Sequence, residues 1–179
     1  MKEALIVVDY QKDFVDGSLG FSQAVLLEPR ICQKIEEYRQ RGGEILVTLD
    51  THTSQYLDTQ EGKKLPIPHC IRNTPGWNLY GKVQNLISSQ DKIFEKPCFG
   101  SQELMDYLRQ QKFDRVELVG IVSNICVISN AVLAKTALPE AEVIVDANCT
   151  ASNDPTLHEK ALDVMESVQI SVINRDYVM

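Results

Sequence analysis

Short apolar runs alternate along this chain with stretches of helical period. The runs "ALIVVD" (4–9), "EILVTLD" (44–50), "DKIFEK" (91–96), "RVELVGIV" (115–122), "EVIVDA" (142–147) and "QISVI" (169–173) have the length of strands. Between them, helical periodicity predicts helices over 28–41, 101–111, 124–137 and 155–167, the last opened by Asp154 as its cap with Pro155 in the first turn. This rhythm predicts an α/β fold: three α-β-α layers, with a six-stranded, mostly parallel sheet covered by helices on both faces. With 179 residues and no break in composition, a single domain over 1–179 is expected.

Charge narrows the partners. A formal net charge of -7 leaves no Lys/Arg surplus to neutralise phosphates, which argues against nucleic acid and anionic membranes. A small-molecule substrate fits better. The first apolar run is too brief for a signal segment or a membrane span, and it reads as the first strand of a cytoplasmic protein. Five cysteines, at 32, 70, 98, 126 and 149, are odd in number and form no C-x-x-C pair, so reduced thiols are expected rather than a disulfide framework or a Cys-rich zinc site.

In a parallel α/β sheet, ligands gather beyond the carboxyl ends of the strands. Chemically capable residues collect at those ends here. Asp9 follows the first run, Asp50 and His52 the second, Lys96 the third and Cys126 the fourth. A free cysteine is most often a small buried hydrophobe, but at a helix N-terminus the unsatisfied N–H groups favour a thiolate and can hold an oxyanion. Asp9 is either a solvated strand end or a base. A lysine placed between Asp9 and Cys126 would hold both in register and lower both pKa values.

The polar, Pro-containing segment 51–90 is long for a connection, and such loops are usually functional or disordered. It follows Asp50 with His52 and His69, a set suited to a catalytic divalent metal, with Glu61 as a further ligand directly or through water. Asp13 reads as a turn or helix cap. Phe14 reads as a ring that could stack on a flat substrate, and Trp77 as a loop anchor. Cys70 diverges from its neighbour His69 in an extended chain, and His158 reads as a surface residue.

Taken together, "DYQKDF", "DTH", "PHC" with "NTPGW", "EKPCFGS" and "GIVSNICV" make the chain resemble the isochorismatase-like cysteine hydrolases, and within them the nicotinamidase/pyrazinamidase group. Five motifs in order over nearly the whole chain carry that resemblance. It implies a catalytic triad of Asp9, Lys96 and Cys126 that hydrolyses a small amide through a thioester. It also implies an oxyanion hole from the backbone N–H groups of Val122 and Cys126, and a cis peptide at Ile121-Val122. Asp50, His52 and His69 would hold one divalent ion, Zn²⁺ before Fe²⁺ or Mn²⁺, that orients a pyridine ring. Members of the family commonly form dimers or tetramers, so a homo-oligomer is compatible with it. Two positions depart from the family pattern. Ser123 and Asn124 stand where Thr-Asp is common, and Pro66 stands where several nicotinamidases carry a ring-stacking tryptophan.

Two other readings stay open from the residues. One is a relative with the same triad acting on a carbamoyl or ureido amide; the other is a non-catalytic small-molecule binding protein on the same fold. An aspartate-nucleophile phosphatase would need a second aspartate where Gln11 stands. A dinucleotide-binding enzyme would need G-x-G-x-x-G after the first strand, which is not there.

Overall fold

The computed structural model describes residues 1–175. Six strands form one sheet: β1 (Glu3–Val8), β2 (Glu44–Asp50), β3 (Lys92–Lys96), β4 (Arg115–Ile121), β5 (Glu142–Ala151) and β6 (Ser171–Ile173). Their order is β3-β2-β1-β4-β5-β6, and every pairing is parallel. Eight helices accompany them: α1 (Lys12–Val15), α2 (Ser22–Leu26), α3 (Glu28–Gln40), α4 (Gln60–Lys64), α5 (Gly81–Leu86), α6 (Gln102–Gln111), α7 (Ile128–Ala137) and α8 (Pro155–Ser167).

Alternation along the strands builds two cores. On β1, Ala4, Ile6 and Val8 face one layer while Leu5 and Val7 face the other. The first layer gathers Leu104, Ala131 and Leu162 from α6, α7 and α8; the second gathers Val15, Ala24, Ile31 and Val83 from α1, α2, α3 and α5. Both faces of the sheet are therefore dry, which explains why the strands read as near-continuous apolar runs.

The expected α-β-α architecture is present, with every strand parallel. The differences are local. β5 continues four residues past the predicted 142–147, because a register irregularity against β4 between Leu118 and Gly120 lets it resume pairing at Thr150 and Ala151. The predicted helix 124–137 begins instead at Ile128, and one π turn over Ser123–Val127 precedes it. α1, α2, α4 and α5 are too short to leave a periodic signature. Asp154 caps α8 as expected, its Oδ1 accepting from the N–H groups of Thr156 at 2.8 Å and Leu157 at 3.1 Å. All five cysteines are free, and among the described residues no helix is long and apolar enough to cross a membrane.

The sheet order decides where chemistry can occur. From β1 the chain steps outward to β2 and β3, then crosses back to β4 on the other side of β1, so the strand order reverses between β1 and β4. Ligands of open α/β sheets bind at that point, beyond the carboxyl ends. Gly120, the penultimate residue of β4, makes the approach of β1 and β4 possible there. It has φ +113, and a Cβ at this position would lie 2.1 Å from the carbonyl oxygen of Val8. Gly120→Ala is expected to destabilise the fold by at least about 2–3 kcal/mol through backbone strain alone. That loss should lower the thermal midpoint by roughly 5–10 °C for a chain of this size. A midpoint within about 2 °C of the parent in a melting curve would show that the β1–β4 contact relaxes freely.

Candidate active site

Asp9 directly follows β1 in a left-handed conformation (φ 46), its N–H donating to the carbonyl of Thr48 at 3.2 Å. Asp50 closes β2, and its register partner on β3 is Lys96. Cys126 lies in the π turn that leaves β4. Four neighbouring strand ends thus deliver four reactive side chains.

Lys96 joins them. Its Nζ lies 2.6 Å from Asp9 Oδ2, 3.5 Å from Asp50 Oδ1 and 3.6 Å from Cys126 Sγ, and it donates to the carbonyl of Cys98 at 2.9 Å. Asp9, Lys96 and Cys126 are all buried. The other Asp9 oxygen, Oδ1, accepts the Thr48 hydroxyl at 2.7 Å, which leaves Oδ2 for Lys96 and the thiol side. Burial pushes the Asp9 carboxyl above its ordinary 3.8 against the downward pull of the Lys96 ammonium. Burial also opposes the charge on Lys96, but Asp9, Cys126 and Asp50 together hold its pKa above the usual lysine value, so it stays an ammonium.

The thiol behaves differently from expectation. The sequence placed Cys126 at a helix start that, with Lys96, would lower its pKa. In the structure burial pushes the Cys126 thiol well above 9.0, the Asp9 carboxylate pushes it further, and Lys96 only partly compensates. The expected lowering of the Asp9 pKa is overturned too, by the same burial. Burial therefore works against a preformed thiolate at Cys126.

A second cluster adjoins the first. His52 Nε2 is 3.0 Å and His69 Nε2 3.4 Å from Asp50 Oδ2, and one ligand atom from each of Asp50, His52 and His69 fits within 4.8 Å of the others. Glu61 Oε1, from α4, stands 3.9 Å from His52 Nε2 and 3.7 Å from His69 Nε2. His69 Nδ1 donates to the carbonyl of Ile67 at 2.8 Å, which aims the free Nε2 at the cluster. Two imidazoles with one or two carboxylates suit Zn²⁺, Fe²⁺ or Mn²⁺. Burial works against the Asp50 charge, but hydrogen bonds from His52 and His69, with the Lys96 ammonium nearby, hold its carboxyl well below the carboxylate range.

Both clusters open into one cavity of about 240 Å³, with Cys126 and Val122 on one side and Asp50, His69 and Glu61 on another. Between them the walls are apolar: Phe14, Phe21, Leu65, Phe99 and Ile125. The volume lies below the range of about 300–1,000 Å³ typical of drug-sized ligands, so the occupant is small. Phe14 packs at 5.3 Å from the His69 ring and lines the cavity. Pro66 is exposed, and its neighbour Leu65 contributes to the wall instead. The peptide Ile121-Val122 is cis.

Several supporting residues carry less signal in the sequence. Gln11 clamps the end of β2, accepting from the Asp50 N–H at 2.8 Å and donating to the carbonyls of Asp50 at 2.9 Å and Trp77 at 2.8 Å. Thr48 could have been found as the one polar residue between the terminal Glu44 and Asp50 of "EILVTLD". Asp13 is not a cap; its Oδ2 accepts the Cys70 N–H at 2.7 Å and ties down the loop that presents His69. Trp77 anchors its loop through Nε1 to Thr51 Oγ1 at 2.8 Å. His158 is not a free surface residue, since its half-buried ring bonds Ser123 in the turn that carries Cys126, at 2.9 Å.

Residues 3–176 match the isochorismatase domain family. The chain is 27% identical over 188 residues to the nicotinamidase/pyrazinamidase of Mycobacterium tuberculosis, covering 95% of this chain and 97% of that protein. The crystal structure of a nicotinamidase/pyrazinamidase from Bacillus subtilis superposes with a TM-score of 0.86 at 28% identity, covering 96% of this chain and 99% of that one. A pyrazinamidase from Pyrococcus horikoshii in complex with zinc superposes with a TM-score of 0.85 at 27% identity, covering 98% and 100%. The 3–176 span includes every strand that carries the site, and the chain belongs to the isochorismatase family.

Proposed function

We propose that this protein is a metal-dependent cysteine amidohydrolase that converts nicotinamide and water to nicotinate and ammonia. One observation carries the reading. Lys96 sits between Asp9 and Cys126 and also within 3.5 Å of Asp50, so a nucleophile and a metal-ligand set share one small apolar cavity. The likeness to nicotinamidases and to a zinc-bound pyrazinamidase supports the same reading.

Asp9 Oδ2 takes the thiol proton as Cys126 Sγ attacks the amide carbonyl carbon. Coupling the two events suits a thiol whose pKa burial has raised, because the thiolate exists only as its proton leaves. The backbone N–H groups of Val122 and Cys126 are assigned to the carbonyl oxygen as it gains charge. The C–N bond then breaks, Asp9 returns the proton to nitrogen, and ammonia departs from a thioester on Cys126. Asp9 next deprotonates water for attack on the thioester, which releases the acid and restores the thiol. Lys96 remains an ammonium throughout and holds Asp9 in register with Sγ. Asp50, His52 and His69, with Glu61 in reach, would hold a divalent ion whose Lewis-acid contact to the ring nitrogen orients the substrate. Phe14 supplies a ring wall beside it.

Purified protein given nicotinamide should release ammonia, and Cys126→Ala should lower that release by at least about 10³-fold with the fold intact by circular dichroism. Robust turnover by that variant would remove Cys126 from the nucleophile role. Dialysis against a chelator should reduce kcat/KM by about 10- to 100-fold or more, and added Zn²⁺, Mn²⁺ or Fe²⁺ should restore it. Full activity in protein shown metal-free by elemental analysis would refute the metal-dependent reading.

The pH profile offers a third check. Asp9 must be ionised to act, so kcat/KM should fall along an acid limb as pH drops through its raised pKa. The Thr48 hydroxyl stabilises the ionised form and lowers that pKa. Thr48→Val should therefore move the limb to higher pH; no movement, or movement toward lower pH, would show that Asp9 is not the group observed.

A further inference from the structure

The turn that carries Cys126 is held from two sides. Behind it, Asn130 on α7 donates to the Cys126 carbonyl at 2.8 Å. In front, Ser123 heads the turn, is fully buried, and meets His158 Nδ1 from α8 with its hydroxyl at 2.9 Å. Val122 immediately precedes Ser123 and Cys126 follows three residues later, so Ser123 lies between the two assigned oxyanion donors. Within the turn, the N–H groups of Ile125 and Val127 both point to the Val122 carbonyl, at 3.2 and 3.1 Å. Both bonds converge on Val122, so the turn that carries the sulfur is closed on one of the two assigned donors.

Burial pushes the His158 imidazole below its ordinary 6.5 and favours the neutral ring. Its Nε2 lies 4.0 Å from a Glu159 carboxylate oxygen; in the tautomer that carries its proton on Nε2, Nδ1 accepts from the Ser123 hydroxyl. The Ser123–His158 bond joins the turn of Cys126 to α8, and α8 itself is seated in the core by Ala161, Leu162 and Met165.

We propose that His158 is a positioning residue for the amide hydrolysis, acting through Ser123 to fix the turn that presents Cys126 and the Val122 N–H. This rests on the amidohydrolase reading above. Misplacing reacting groups by about 1 Å can cost roughly 10²-fold in rate, so the effect belongs in kcat rather than KM.

The test compares His158→Ala, His158→Asn, Ser123→Ala, the double alanine variant and Leu162→Ala, each assayed well below its melting midpoint. Leu162→Ala loosens α8 without touching Ser123. His158→Ala should lose about 10- to 100-fold in kcat with KM within about twofold. His158→Asn, whose amide can occupy the Nδ1 position, should recover most of that loss. The double variant should be no slower than the slower single, and Leu162→Ala should melt earlier yet keep kcat within about twofold. Hydrogen exchange over residues 119–130 should quicken in His158→Ala and return to the parent rate in His158→Asn. That readout needs no substrate, so it separates failure of the tether from failure of the nicotinamide assignment. The proposal is overturned if His158→Ala keeps parental kcat, if Leu162→Ala loses as much kcat, if the two alanine effects multiply independently, or if His158→Asn rescues neither rate nor exchange.

Discussion

Everything at this site hangs on one buried cation. Lys96 is 2% exposed, and placing an ammonium there would be prohibitive without partners. Asp9 and Asp50 supply the countercharge and the Cys98 carbonyl takes a further hydrogen bond. The same contacts define the chemistry. Asp9 is fixed beside the sulfur, Asp50 is shared with the two histidines, and the distance from Cys126 to the Asp50 cluster follows from the span of a single side chain. Removing the charge would leave two carboxylates facing each other in a dry site, so Lys96 organises the site as much as it takes part in it.

The backbone supplies the remaining precision. Parallel pairing places Asp50 beside Lys96, and Val8 beside both Thr48 and Gly120. A slip of one residue in any of these registers would turn its reactive side chain to the opposite face of the sheet. Short polar clamps then hold what the strands deliver: Gln11 on the end of β2, Thr48 on Asp9, Asp13 on the loop of His69, and Asn130 on the turn of Cys126. None of them needs to touch a substrate to matter.

Much of this was legible in the sequence because strand ends announce themselves. Asp9, Asp50 and Lys96 each terminate an apolar run, and the alternation of runs with helices implied that they share one edge. His52 and His69 stood out because the chain has only three histidines and the intervening loop is long. Protonation states were not legible. The pKa of Cys126 depends on burial and on a carboxylate 117 residues earlier in the chain, and a local helix-start argument had the wrong sign. His158 was misread because nothing in "PTLHEKAL" shows which helix face meets Ser123. The short helices escaped because four to six residues cannot display a period of 3.6.

Sheet order also has a consequence for assembly. β1 is first in the chain yet central in the sheet, and its neighbour β4 arrives more than a hundred residues later, as the Lys2–Asp114 hydrogen bond records. Such distant pairing is entropically expensive to close and slow to form. A ribosome must therefore complete most of the chain before Asp9 and Cys126 can meet. Until then the first three strands carry Asp9, Asp50 and Lys96 without the sulfur that completes their cluster.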